Sequence, residues 1–334
     1  MRRAGIRDVA DLAGVSISSV SNALNRPDAV SEQLRTRVRA AADQLGYVPL
    51  RAAQQLRAGR SGLIGMTVIS IGNPFFAEML EGAEEATSAA GYQVMLGNSD
   101  DSVQRESSYL ELFELAHVEG VIVSPFGDVT PALSRLRAQQ IPVTLVDGID
   151  EQGLTPSVSL DNVQGGRMAV RHLVEIGRRR LAFVGAREEV RQTRDRLRGA
   201  ASFAEQAGVP LDITIGRRTT PRLGSEIGAR LAAMPAHERP DAVFAANDLL
   251  ACGIVHGLLA AGLRVPDDVA VVGYDDIPFA SIAAVPLTSV RQPARAMGRR
   301  AGEMLVALLR GETQQPPPTE VFSAELVVRA STVG

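Results

Sequence analysis

From Ser61 onward the chain alternates short apolar runs with amphipathic stretches, a pattern that restricts most of it to parallel β-sheets wrapped by helices. One series runs through LIGMTVIS (63–70), a helix from Pro74 to Ala90, YQVMLGN (92–98), a helix around Tyr109 to Leu115, GVIVSPF (120–126) and IPVTLVD (141–147). A second runs through a helix from Gly165 to Ile176, LAFVGA (181–186), a helix from Arg196 to Gln206, AVFAAN (242–247), a helix from Asp248 to Ala261 and VAVVGYDD (269–276). Two lobes are therefore expected. Their strands read as unbroken apolar runs, as strands covered on both faces do, and each ends in polar or glycine residues. Ligands of open α/β sheets bind beyond those carboxyl ends.

The first sixty residues follow a different rule. Ile6, Val9, Ala13, Val20 and Leu24 recur at helical spacing on either side of Ala13-Gly14-Val15, which describes two short helices meeting at a glycine turn. Ser16 caps the second helix, its hydroxyl free to accept a first-turn amide or to donate to a phosphate. Ile17, Ser18, Ser19, Asn22 and Asn25 are the outward positions of that helix and suit base edges: Asn22 can grip adenine through two bonds, Ile17 can pack on a thymine methyl, and Ser18 can read several partners. A third helix opens at Ser31, carries Leu34, Val38, Ala41 and Leu45, and closes at Gly46.

Charge separates the same two regions. Residues 1–60 hold ten arginines against five acids, whereas residues 61–334 hold twenty-five against thirty-three, which sums to the net charge of −3. A basic head on an acidic body is the distribution of a duplex-binding module joined to a domain of another kind. Every basic residue is arginine, which reads as genome composition. Leu50 to Gly59 holds good helix formers but only Leu56 as a strong apolar residue, so a helix there needs a partner to become ordered.

The blocks DVADLAGVS, VSNALN, RAAQQL, LIG, NPFFAEMLEG, ANDLLACG, VVGYDDIPFA and LTSVRQP, in this order and spread over nearly the whole chain, resemble the LacI/GalR-type transcriptional repressors. That resemblance implies an N-terminal all-α helix-turn-helix headpiece (1–49), a hinge helix (50–60), and an α/β two-lobed core like that of periplasmic binding proteins (61–334), with parallel sheets flanked by helices. It also implies that the hinge forms on the operator, packs on its dimer mate and pushes Leu56 into the minor groove, where an apolar wedge unstacks a base step. Ser31 and Ala53 complete the expected DNA-contacting set. Many relatives carry arginine in place of Asn22 and a bulkier residue in place of Ile17, so the operator, a pseudopalindrome read by a two-fold dimer, should differ at its outer bases.

The strand ends supply Asn73, Phe75, Phe76, Ser124, Asp147, Asn247 and Asp275, with Arg196 opening a helix. Carboxylates, amides and a guanidinium fork suit vicinal hydroxyls, and an aromatic face covers an apolar side. The resemblance assigns Phe75, Asp147, Arg196, Asn247 and Asp275 to the effector pocket; Phe76 and Ser124 are added from their position. A sugar or sugar derivative is the expected effector. Relatives include both inducer-released and corepressor-dependent members, which leaves either sign open.

No cofactor or catalytic group is expected. The chain lacks Walker, G-x-S-x-G and G-x-G-x-x-G signatures, and no histidine stands beside a nucleophile, which weighs against an enzyme using the same cleft. The adjacent Asp275 and Asp276 could suggest a metal, but the four histidines are scattered and no acidic cluster has ligand spacing. Cys252 lies in an apolar helix and implies no disulfide framework. The first twenty residues lack a continuous apolar segment and no stretch approaches membrane-spanning length, so a cytoplasmic protein is expected rather than a periplasmic sugar-binding protein of similar architecture. No heptad segment follows ELVVRAS (325–331), so a homodimer is expected.

Overall fold

A computed structural model describes residues 4–25, 29–47, 61–186, 190–312 and 317–333. The chain divides into two compact units, Met1–Ser61 and Gly62–Gly334. The first contains α1 (Ile6–Ala13), α2 (Ile17–Asn25) and α3 (Glu32–Gln44). Gly14 ends α1 in the left-handed conformation at φ +63°, the turn that glycine makes without steric cost. Val9, Ala10, Ala13, Val20, Ala23, Val38, Ala41 and Ala42 form the buried core, with Ile6, Leu24, Leu34 and Leu45 packed around it. Alanine dominates that list, so the helices pack closely over a small apolar volume.

The second unit holds two six-stranded sheets. The elements of the first lobe are β1 (Leu63–Val68), α4 (Pro74–Ala89), β2 (Gln93–Asn98), α5 (Val103–Leu115), β3 (Gly120–Val123), α6 (Thr130–Ala138), β4 (Val143–Val146) and β5 (Ser157–Leu160). Those of the second are α7 (Asn162–Glu175), β6 (Leu181–Ala186), α8 (Arg191–Ala207), β7 (Leu211–Gly216), α9 (Pro221–Ala232), β8 (Ala242–Ala245), α10 (Asp248–Ala260), β9 (Ala270–Asp275), α11 (Pro278–Ile282) and β10 (Thr288–Arg291). The chain then returns. Helix α12 (Ala294–Leu309) packs on α4 and on β3 to β5, β11 (Thr319–Phe322) joins the first sheet beside β5, and β12 (Glu325–Val327) joins the second beside β10.

The sheet orders are β11-β5-β4-β3-β1-β2 and β12-β10-β9-β8-β6-β7. All pairings are parallel except that of β10 with β12. The connections at 161, at 292–293 and at 323–324 join the lobes. Glycines set the spacing of the flanking helices: a Cβ on Gly82 of α4 or Gly298 of α12 would overlap the other helix's backbone, and Gly166 of α7 and Gly199 of α8 stand in the same relation.

Three sequence expectations shift. Helix α8 begins at Arg191, so Arg196 lies in its second turn and does not open it. Helix α5 begins at Val103, capped by Ser102, six residues before Tyr109. The polar run Ser157–Leu160 and the half-exposed Leu211–Gly216 are strands that the apolar-run criterion passes over.

Candidate functional site

The carboxyl ends of the two sheets face a cavity of about 240 Å³. Its walls include Asn73, Phe75, Phe76, Asp101, Phe126 and Asp147 from the first lobe, and Gln192, Thr193, Arg196, Arg218, Asn247 and Asp275 from the second. Asn73 reaches it because proline follows: with Pro74 in the first turn of α4, the Asn73 side chain turns back to accept the Phe75 amide at 3.1 Å and caps the helix. The same turn brings the Phe75 and Phe76 rings together edge to face, 5.0 Å between centroids. Phe126 is held from behind, its amide donating to the buried carboxylate of Glu106 at 2.9 Å.

A buried polar cluster forms the floor. Arg196 donates from Nε to Asn162 Oδ1 at 2.8 Å and from Nη1 to the Ala246 carbonyl at 2.6 Å, and its guanidinium lies 3.7 Å from the centre of the Tyr274 ring. Nη1 also stands 3.6 Å from Asp275 Oδ1. Asp275 accepts from Gln292 Nε2 at 2.7 Å and, across the cleft, from Asn73 Nδ2 at 2.9 Å. Burial raises its pKa, against the opposing pull of Arg196, Asn73 and Gln292.

Asp147 follows β4 with φ +55°. Its Oδ2 accepts from Gln192 Nε2 at 3.0 Å, a second bond between the lobes, while Oδ1 and the neighbouring Gln192 Oε1 are buried with no partner among the described residues. Burial pushes the Asp147 carboxyl up to about 7; Arg196 opposes the shift and Asp275 adds to it. Asn247 spends both ends of its amide, Oδ1 accepting the Leu250 amide to cap α10 and Nδ2 donating to Thr219 Oγ1 at 3.0 Å.

The turn carrying Asp275 is strained and clamped. Asp275 and Asp276 have φ of +103° and +56°, conformations that cost energy and persist where the surroundings over-determine them. Asp248, fully buried, accepts the Ile277 amide at 2.8 Å and the Ser289 hydroxyl at 2.6 Å, and Ser289 accepts the Asp276 amide at 3.0 Å. The Asp276 carboxylate bonds to Arg291 and Arg329, which places it outside the cavity.

The structure thus brings Phe75, Phe76, Asp147, Arg196, Asn247 and Asp275 to one cavity. Ser124 is the exception: it is fully buried and absent from the lining, to which this strand end contributes Phe126 instead. Sequence reasoning missed Asn162, Gln192, Arg218, Tyr274 and Gln292. Among the described residues, no group of three or more His, Cys, Asp or Glu could hold a metal ion, and no helix is long and apolar enough to cross a membrane.

In the headpiece, Ser16, Ile17, Ser18 and Asn22 are exposed on α2. Ser19 differs: it is half-buried and its hydroxyl lies 2.9 Å from that of Ser16, which also accepts the Ser19 amide at 3.1 Å. Ser31 caps α3 by accepting the Leu34 amide at 3.4 Å. Asn25 ends α2, and Ala53 and Leu56 lie outside the described residues.

Residues 5–49 match the family model for bacterial regulatory proteins of the lacI family, and residues 170–332 match that for a periplasmic binding protein-like domain. The HTH-type transcriptional repressor PurR of Photobacterium profundum is 32% identical over 330 residues, covering 98% of each chain. A solved complex of the transcriptional regulator CelR with cellobiose is 33% identical, with a TM-score of 0.72 over 98% of this chain and 100% of that one. The lac repressor dimer bound to operator and the anti-inducer ONPF is 26% identical, with a TM-score of 0.80 over the whole of both chains.

Proposed function

The chain belongs to the LacI family of bacterial regulatory proteins, and from that premise we propose that it is a homodimeric, cytoplasmic repressor whose operator affinity is set by a sugar or sugar derivative bound between the lobes. The observation that carries the ligand class is the pair of buried acceptors, Asp147 Oδ1 and Gln192 Oε1, left without a partner among the described residues. A buried acceptor without a donor is costly, so the fitting ligand brings hydroxyl donors. Phe75 and Phe76 supply the apolar face that the ring of a sugar also needs, and the CelR complex shows a relative holding such a ligand.

On the DNA side, α2 enters the major groove and presents Ile17, Ser18 and Asn22 to base edges, while Ser16 and Ser31, at helix N-termini, lie beside phosphates. The 50–60 hinge carries Ala53 and the Leu56 wedge into the minor groove. Exposed Leu112 and Leu115 on α5 and Phe279 and Ile282 on α11 favour pairing with a second copy. Ligand binding favours the closed cleft, turns one lobe against the other about the three connections, and so changes how the two headpieces of a dimer are spaced. It controls DNA binding only through its differential affinity for the two forms. The regulators PurR and CelR, which the chain resembles over 98% of its length, support reading the cleft as one that senses its ligand.

The test is fluorescence anisotropy of the full-length protein on a duplex selected from a random library, with and without a panel of sugars. A selected pseudopalindrome whose affinity one sugar changes at least tenfold is the expected result. A selected duplex insensitive to every sugar would remove the effector assignment and leave the DNA reading standing.

A further inference from the structure

Arg218 follows β7 in the second lobe, and Asp100 and Asp101 follow β2 in the first, yet the three form one ion-pair cluster. Arg218 Nε lies 2.8 Å from Asp101 Oδ2, and Nη2 bonds to Asp100 Oδ1. Arg105 holds Asp100 from the other side at 3.1 Å. The two aspartates sit at φ +49° and +57°, a backbone conformation that, glycine apart, Asn and Asp adopt most readily. Arg218 and Asp101 both line the cavity, so the guanidinium forks across the gap and forms part of the wall.

This cluster limits what the cavity can hold. A volume of about 240 Å³ is smaller than the ~300–1,000 Å³ of pockets for drug-sized ligands. Arg218 and Asp101 meet across the gap between the lobes, so a second ring extending past them has to part this pair. With 44% of its side chain exposed, Arg218 stands at the solvent edge of the described lining.

We propose that the cleft answers to a single-ring sugar and that Arg218, clamped on Asp100 and Asp101, is the specificity-determining residue that shuts out a second ring. This rests on the sugar reading above. Isothermal titration of the full-length protein with ribose, xylose, glucose and galactose against cellobiose and maltose tests both together. Wild type should bind at least one single-ring sugar tenfold or more tighter than either two-ring sugar. Arg218→Ala should lower that ratio at least tenfold, and the pair Asp100→Asn with Asp101→Asn, which keeps the backbone preference and removes the charge, should do the same. A two-ring sugar bound by wild type as tightly as the best single-ring one overturns the proposal, as does a ratio unchanged in the variants. A fall in Arg218→Ala alone assigns the effect to bulk and overturns the clamp. Wild type that binds none of the six sinks the sugar reading and this inference with it, an outcome distinct from the others because in those a sugar binds.

Discussion

Asn73 and Asp275 stand 202 residues apart in sequence, one capping the first helix of the first lobe and the other ending a central strand of the second, and a 2.9 Å hydrogen bond joins them. Gln192 and Asp147 make a second such bond. Neither survives rotation of the lobes about their three connections. Both bonds use side chains that line the ligand cavity, so cleft closure and ligand contact draw on the same groups. A ligand that adds contacts to this set stabilises the closed form by its differential affinity.

Arg196→Ala is expected to separate sensing from DNA binding. The guanidinium ties together Asn162, the Ala246 carbonyl, Tyr274 and Asp275, and its removal leaves buried acceptors without their donor. Breaking a buried pair from one side costs ~3 kcal/mol or more, softened here because Asn73 and Gln292 still satisfy Asp275. The headpiece core shares no residue with this cluster. Operator affinity without ligand should hold while the ligand response disappears; anisotropy titrations with an intact response would clear Arg196 of its role.

Asp147 makes stability depend on pH with a definite sign. Burial raises its folded pKa from 3.8 to about 7, so its contribution is full below pH 4 and is lost as pH rises towards 7. Asp147→Asn removes the titration and keeps a residue at ease with φ +55°. The melting temperature of the variant minus that of wild type should therefore grow between pH 5 and pH 8. A difference that stays constant over that range would show that Asp147 does not titrate there. Glu106, also raised to about 7, is present in both proteins and cancels in the comparison.

How far the sequence reveals this site depends on the distance over which each signal acts. Gly14, Ser16, Ser31 and Asn73-Pro74 act within one turn of chain, and their helices begin or end where local chemistry requires. Apolar runs ending in Asp147, Asn247 and Asp275 likewise announce strands pointing at a cleft. Val190 precedes helix α8 without a side-chain cap, so nothing local in the sequence marks its first turn. Gln192 and Gln292 are ordinary polar residues until a carboxylate from elsewhere in the fold arrives beside them. The return of α12 to the first lobe depends on Gly298 meeting Gly82 across more than two hundred residues, which no periodicity encodes.

Asp248 is expected to govern ligand affinity without touching the ligand. It lies outside the cavity lining, yet it anchors the Ile277 amide and the Ser289 hydroxyl that hold the strained Asp275-Asp276 turn. Asp248→Asn replaces one acceptor oxygen with a donor and so loses one of these anchors. Ligand affinity should fall about tenfold, equivalent to ~1.4 kcal/mol, with a comparable cost in stability. If titration shows unchanged affinity in a variant of lowered melting temperature, the turn holds its geometry without this anchor and Asp248 is structural only.

Two neighbouring serines of α2 should behave differently on DNA, although the sequence alone treats them alike. Ser18 is exposed, whereas the half-buried Ser19 hydroxyl is already engaged with Ser16. Ser18→Ala and Asn22→Ala remove groups free to meet base edges; Asn22→Ala should relax preference at one base pair per half-site by about 1–3 kcal/mol. Ser19→Ala keeps the backbone amide that Ser16 accepts and loses only the hydroxyl contact that orients Ser16, so it should weaken all sequences together and lower headpiece stability by ~0.5 kcal/mol. Binding to a set of operators mutated at single positions distinguishes the two patterns. Were Ser19→Ala to change preference at one base pair while leaving the others untouched, Ser19 would have to turn outward on the operator, and the Ser16–Ser19 bond would belong to the free protein alone.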